Sequence, residues 1–517
     1  MIRDFYNEPG LDFENRTNYE AMAAAIAEEK KSFGKEYYPV IAGEKVGGVN
    51  KIASTNPSRI EEVIGYAWAV DTDTADEAIK SAWQAFENWS RVGCGFRARC
   101  LLKAAAILRK KRLELAATMV LEAGKNWAEA DGDVAEAIDY LEIYAINALE
   151  LDKRVEPLVR IEGEDNELFY IPLGVGAVIV PWNFPLAILA GMTGASIVTG
   201  NTVVVKPASA TPVIASKFME VLLEAGVPDG VVNLIYGSGP EVGSYLVGHP
   251  RIRFINFTGS REAGIFIAEE AGKIKPGQIW IKRVSAEMGG KDAIIVDSEA
   301  DLDAAVEGIT SSAFSYQGQK CAACSRAIID EKVYEEMAQR LVEAAKKLSL
   351  GPAEDYKNYM GPVIDRQAYE KVLKYIEIGK KDGKLLVGGE KGDRQGFFIK
   401  PTIFGEIKPG SPLDQDEIFG PVLALIRAGS FEEALNIANG TDYGLTGSVY
   451  SRNRARLEKA RWEFHVGNLY FNRKSTGAIV GVHPFGGYNM SGTCTKAGGR
   501  DYLLQFCQGK TVSEKLD

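Results

Sequence analysis

From about residue 171 the chain repeats one pattern, a short apolar run, a turn rich in Gly, Ser, Thr or Pro, then a helical stretch. Val175–Val180 leads into Pro181-Trp182-Asn183-Phe184-Pro185 and a helix, and Thr202–Val205 into Lys206-Pro207-Ala208-Ser209 and a helix from Pro212. Val231–Ile235 runs into Gly237-Ser238-Gly239, and Arg253–Phe257 into Thr258-Gly259-Ser260, each followed by another helical stretch. Parallel strands need a long crossover, which a helix supplies, so the alternation predicts a parallel sheet with helices on its faces. A second set starts at Asp292–Val296, with helices over 301–316 and 331–348 and strands near Lys384–Leu386 and Val422–Leu425. The expected fold class is α/β, two open parallel-sheet domains in tandem with a ligand cleft between them. Residues 73–150 are strongly helical in pattern, since Ala75–Phe86, Phe96–Lys111 and Arg112–Glu122 repeat apolar residues at three and four. The tail, Gly509–Val512 then Ser513–Asp517, is too short for its own core and is expected to pair with a partner subunit.

One stretch tests this reading. Residues 168–205 contain no charged side chain, long enough to span a bilayer. Pro172, Pro181 and Pro185, several glycines and Asn183 interrupt it, so two buried strands around a buried helix fit better. A chain of 517 residues exceeds one core and calls for about three domains at roughly 150 residues each. The formal charge of −10 and the lack of any dense Lys/Arg cluster argue against a nucleic-acid partner. The N-terminus has no apolar signal-peptide core. Six scattered cysteines (94, 100, 321, 324, 494, 507) point to a reducing cytoplasm rather than a disulfide framework. Only His249, His465 and His483 are present, which leaves little for a His-rich metal site.

Chemistry concentrates at a few turns. Phe257-Thr258-Gly259-Ser260 follows a strand and opens a helix, where free N–H groups receive phosphate. Gly259 and Gly264 do not have G-x-G-x-x-G spacing, and Gly237-Ser238-Gly239 comes closer; together these turns favour a nucleotide cofactor. Gly318-Gln319-Lys320-Cys321-Ala322-Ala323-Cys324 has three rival readings besides a nucleophile: a buried free thiol, half of a zinc site, and a redox pair. Zinc needs a second pair, which Cys94/Cys100 and Cys494/Cys507 do not supply in metal-ligand spacing. A thioredoxin-like pair belongs near the start of a small βαβ domain, not deep in a long chain. A nucleophilic thiol needs an oxyanion site and a base. Asn183, in its rigid turn, either aims its amide at an oxyanion or merely closes the turn. Glu287, in apolar Ala286-Glu287-Met288-Gly289-Gly290-Lys291, is either a base toward water or an ordinary loop acid.

Taken together these residues resemble the aldehyde dehydrogenase superfamily. Pro181-Trp182-Asn183-Phe184-Pro185, Lys206-Pro207, Phe257-Thr258-Gly259-Ser260, Glu287-x-Gly289-Gly290-Lys291, Gly318-Gln319-x-Cys321, Glu417-Ile418-Phe419-Gly420-Pro421 and Pro484-Phe485-Gly486-Gly487 stand in the superfamily's order and spacing. Within it the chain is most similar to the branch that oxidises L-glutamate γ-semialdehyde, on the stretches His249–Ser260, Glu463–Arg473 and Lys474–Gly481. It resembles the monofunctional form, without a preceding proline dehydrogenase domain.

The resemblance implies a Rossmann-like NAD-binding domain over 1–150 and 171–288, a catalytic domain over 289–495, and a β oligomerisation arm from 151–170 and 496–517. It implies that the Cys321 thiolate attacks the aldehyde, that the Asn183 amide and the Cys321 N–H hold the oxyanion, and that Glu287 activates water against the thioester. Lys206 and Glu417 would bind the cofactor's riboses and Ser260 its pyrophosphate. Phe419 would pack near the nicotinamide ribose, with Trp182, Ser209, Gly239, Gly243, Thr258 and Gly259 as further contacts. For an amino-aldehyde, the N–H groups of Gly477 and Ala478 with Ser475 nearby would receive the α-carboxylate, Glu136 would face the ammonium, and Phe184 and Phe485 would wall the stem. The product, glutamate, places the reaction in proline or arginine breakdown, in a homodimer or an assembly of dimers. Ala322 stands where many relatives carry a Ser that touches the carboxylate, so this chain is expected to lack one hydrogen bond to it unless Ser475 compensates. Ser209 stands where NAD-strict members carry Glu, so NAD is expected with some tolerance of NADP. Cys324 raises the idea of a disulfide trap for oxidised Cys321. Two rival functions stay open, an aldehyde dehydrogenase for another aldehyde and a catalytically dead structural member.

Overall fold

The computed structural model describes residues 4–153, 158–493 and 496–516; Met1–Arg3, residues 154–157 of the expected arm, Cys494, Thr495 and Asp517 lie outside the described residues. Two seven-stranded sheets carry the fold. In the first, Arg283–Glu287, Phe254–Thr258, Val175–Ile179, Thr202–Lys206 and Val232–Leu234 run parallel in that spatial order, and Val40–Ile41 and Glu44–Lys45 extend it antiparallel. In the second, Thr402–Gly405, Val422–Ala428, Arg326–Asp330, Ala293–Val296, Thr446–Tyr450 and Asn468–Phe471 are parallel, with Lys384–Val387 antiparallel at the edge. The α/β expectation holds. Val203, Val204 and Val205 are all but fully buried because helices cover both sheet faces, so the strand reads as one apolar run rather than an alternation.

The charge-free stretch resolves into two strands flanking the helix Ala187–Val198. That helix is apolar all round because it lies under a second helix, Trp127–Lys153; a side chain on Gly191 would meet the Tyr140 ring at 3.0 Å. No helix among the described residues is long and apolar enough to cross a membrane. Some parts carried no clear pattern in the sequence. Asn50–Asn56 and Arg59–Ala69 form an antiparallel pair, with Lys35–Tyr37 added parallel as a third strand. Helices also cover Arg366–Asp382, Phe431–Asn439 and Arg454–Glu463.

Glu164–Pro172 and Cys507–Lys515 pair antiparallel along their whole length as a two-stranded ribbon. Most of its second strand is exposed, including Val512.

Candidate active site

Cys321 lies in a turn where two cavities meet and lines both of them. Helix Leu302–Phe314 is followed, after extended Ser315, by three consecutive left-handed residues, Tyr316 (φ 49°), Gln317 (φ 56°) and Gly318 (φ 67°). Two of them carry side chains, a conformation costing on the order of 1 kcal/mol or more each, so the surroundings must hold it. Tyr316 donates its hydroxyl to the Ala123 carbonyl at 3.1 Å, and Gln317 donates its amide to the Gly124 and Pro362 carbonyls at 3.2 and 2.7 Å. The result throws the backbone round so that Cys321 faces the cleft. Burial pushes its thiol well above the ordinary range, and Asp292, Glu287 and Glu417 push the same way.

Asn183 comes from the turn after Val175–Ile179. It is 5% exposed and donates its amide to the Gln319 carbonyl at 3.1 Å, two residues before the thiol. The amide nitrogen thus lies against the Cys321 turn. Glu287 ends the strand Arg283–Glu287, and its carboxylate turns to the Gly486-Gly487 bend, where the Gly487 N–H donates to it at 3.4 Å. A side chain at Gly486 would come within 2.8 Å of that carboxylate, which explains glycine there.

The smaller cavity, about 290 Å³, is lined by Trp182, Asn183, Thr258, Gly259, Ser260, Glu417 and Phe419 among others. Trp182 and Phe419 meet edge to face at 5.5 Å. Ser260 caps helix Arg261–Ala271 by accepting from the Ala263 N–H. Glu417 accepts from the Gly290 N–H at 3.1 Å, and a Cβ on Gly289 would strike its carboxylate at 2.1 Å. Lys206 lies outside this lining. It is buried, donates to the Pro207 and Gly237 carbonyls, and burial lowers its ammonium to about 8. Its stem packs 3.5 Å from where a Gly243 side chain would begin. Ser209 is exposed on the turn beyond Lys206, and Gly239 is open on its surface.

The larger cavity, about 730 Å³, has Glu136, Phe184, Phe485, Gly477, Ala478 and Ala322 in its wall. Arg473 donates to the carbonyls of Thr476 (2.9 Å) and Gly477 (3.0 Å). In a trans peptide the N–H points opposite to the carbonyl, so the Gly477 and Ala478 N–H groups turn away from Arg473. His483 braces the same loop by accepting the Ile479 N–H. Burial, with Asp133 nearby, raises the Glu136 carboxyl to about 8.

Two expected roles change. Ser475 is 1% exposed and sits beneath the wall, where its hydroxyl donates to the Ala322 carbonyl at 3.1 Å; it supports the floor and does not face the cavity. Cys324 turns its thiol to the Arg326 carbonyl inside the core, away from the cavities, so the geometry gives no support to a disulfide trap.

The structure also sets Glu136 among residues that sequence reasoning did not name. Glu129, Asp133 and Tyr140 share its face of helix Trp127–Lys153 and line the larger cavity with it. Burial opposes the charge on Glu129, but Lys320, at 2.7 Å, and Lys125 hold it below the ordinary range. That 4-3-4 spacing was available in the sequence, as acids on the inward face of an otherwise apolar helix.

The aldehyde dehydrogenase family model matches residues 45–512. The chain belongs to the aldehyde dehydrogenase family. It is 57% identical to a 1-pyrroline-5-carboxylate dehydrogenase of Geobacillus kaustophilus (strain HTA426), over 99% of this chain and all of that protein. It is 53% identical to the enzyme of that name from Bacillus subtilis (strain 168), again over 99% of this chain and all of the relative. A Thermus 1-pyrroline-5-carboxylate dehydrogenase solved with bound NAD superposes with a TM-score of 0.98 at 50% identity, covering 99% of each chain. Cys321 and Asn183 line the smaller cavity together, and the Glu287 carboxylate is near enough to act on the Cys321 thiol electrostatically.

Proposed function

We propose that this aldehyde dehydrogenase oxidises L-glutamate γ-semialdehyde, the open form of 1-pyrroline-5-carboxylate, to L-glutamate with NAD as acceptor. The observation that carries the reading is the larger cavity, which Cys321 lines together with Glu136, Gly477 and Ala478, the last two with their N–H groups turned from Arg473. A zwitterion leaving water needs both charges matched. Glu136 answers the ammonium, the paired N–H groups answer the carboxylate, and Phe184 and Phe485 cover the stem. Full-length likeness to relatives named for this substrate supports the same conclusion.

The Cys321 thiolate attacks the aldehyde carbon, and the alkoxide that forms takes hydrogen bonds from the Asn183 amide and the Cys321 N–H. Bound NAD supplies the acceptor for the hydride that leaves this carbon. The Cys321 thioester remains, and Glu287, swung from Gly487, takes a proton from the water that hydrolyses it. The smaller cavity fits a dinucleotide on its own features. The Gly289–Gly290 cradle holds the Glu417 carboxylate where a ribose hydroxyl would meet it, and Ser260 opens a helix of eleven residues for a phosphate. Lys206, buried outside that lining, would reach the second ribose by turning its ammonium from the Pro207 and Gly237 carbonyls. The exposed ribbon is too thin to stand alone and serves as an arm against a second subunit.

The test is NADH formation with pyrroline-5-carboxylate beside propanal, succinic semialdehyde and glyceraldehyde. Preference for pyrroline-5-carboxylate supports the reading. Preference for simple aldehydes would keep the mechanism and overturn the substrate, with Ala322 as the first suspect.

A further inference from the structure

Lys125 has no solvent exposure, yet it has no place in the chemistry above. Its ammonium lies 3.1 Å from an Asp133 oxygen, 3.9 Å from the Phe184 ring centroid and 4.3 Å from the Tyr316 ring centroid. A desolvated ammonium over an aromatic face is attracted by the ring quadrupole, and burial strengthens that attraction. The two rings belong to different catalytic segments. Phe184 follows Asn183 in the oxyanion turn, and Tyr316 is the first left-handed residue of the turn that presents Cys321. The same cation's partner, Asp133, accepts the Ala187 N–H at 2.7 Å and so caps the helix that leaves the oxyanion turn. Tyr316 and Gln317 are tied in turn to the carbonyls of Ala123 and Gly124, the two residues before Lys125.

We infer that Lys125 is a positioning residue that clamps the Asn183 turn to the Cys321 turn, through Phe184 and Asp133 on one side and Tyr316 on the other. The inference rests on the aldehyde-oxidation reading but not on the identity of the aldehyde. An ion pair alone would need neither ring, and a packing residue would need no charge. Lys125 supplies one rigid centre for both turns, and an error of about an ångström between nucleophile and oxyanion donor costs on the order of a hundredfold in rate.

Removing Lys125 alone would strand a buried carboxylate, so the test uses Lys125→Met with Asp133→Asn. The pair of changes keeps the site neutral, and the new side-chain amide oxygen can still accept from the Ala187 N–H. Propanal serves as substrate, so a wrong substrate assignment cannot mimic failure, and near-UV circular dichroism checks the fold. The double variant should lose about tenfold to a hundredfold in kcat while its affinity for NAD stays within twofold. Asn183→Ala should cost about a hundredfold or more in the native background and less than tenfold in the double variant, because the donor is already displaced. A folded double variant with native kcat, or an unchanged cost of Asn183→Ala, overturns the clamp. Should the double variant not fold, Phe184→Leu is read at the other turn, by the rate at which iodoacetamide alkylates Cys321 without cofactor. A change of at least threefold supports the coupling, and an unchanged rate contradicts it.

Discussion

Ser475 donates its hydroxyl to the main-chain carbonyl of Ala322 at 3.1 Å, so the one serine of the anchoring loop is spent on the floor of the site. Its main-chain N–H is engaged as well, with the Ser312 hydroxyl. Neither group is aimed at a ligand, so the proposed carboxylate contact rests on the Gly477 and Ala478 N–H groups.

Ala322→Ser should therefore add a donor where the wall now offers a methyl group. A hydrogen bond to a charged group contributes about 1.5–3 kcal/mol, so the KM for pyrroline-5-carboxylate should fall about tenfold or more with little change in kcat. Initial rates against substrate concentration check this. Propanal, which has no carboxylate, should show no gain.

Glu136 titrates at about 8 because burial and Asp133 disfavour its charge. An ammonium ligand needs the carboxylate, so kcat/KM for the amino-aldehyde, taken relative to propanal, should rise as pH climbs through about 8. Glu136→Gln should flatten that ratio and lower it. The sign for stability is opposite. A carboxyl raised in the folded state contributes stability below its unfolded value near 4.5 and loses it as pH rises through about 8. Glu136→Gln should accordingly melt higher than the native chain at about pH 9, with the gap closing toward about pH 4.

Gly289→Ala should strike the Glu417 carboxylate, which a Cβ would approach to 2.1 Å. Displacing Glu417 breaks its hydrogen bond from Gly290, a charge-assisted contact of about 1.5–3 kcal/mol. The affinity for NAD, measured by titration, should fall about tenfold to a hundredfold. Alkylation of Cys321 without cofactor should change far less.

Ser209 is exposed beyond the Lys206 strand and presents no carboxylate against a 2′-phosphate. Turnover with NADP should be measurable at saturation, and Ser209→Glu should suppress it while NAD turnover stays within a few fold. Complete absence of NADP turnover in the native chain would contradict this.

The βα rhythm was legible because strands covered on both faces read as plain apolar runs between turn residues. The strands Asn50–Asn56 and Arg59–Ala69 were not, since their half-exposed, bulged pairing mixes polar and apolar residues without a clean period. Cys321, Asn183 and Glu417 were legible as motif residues. Lys125 and Asp133 were not, because a lysine and an aspartate eight apart look in sequence like a solvated helix end, and only the tertiary packing buries them. Ser475 was named for its place in the anchoring stretch, but sequence cannot tell which way a loop hydroxyl points.

The most direct test of the account is the intact mass of Glu287→Gln mixed with NAD and pyrroline-5-carboxylate. With no base to activate water, turnover should fall at least about a hundredfold, while one NADH per subunit forms in a burst and the protein gains the mass of one glutamyl group on Cys321. A burst without that mass, or the mass on any residue other than Cys321, would contradict the account.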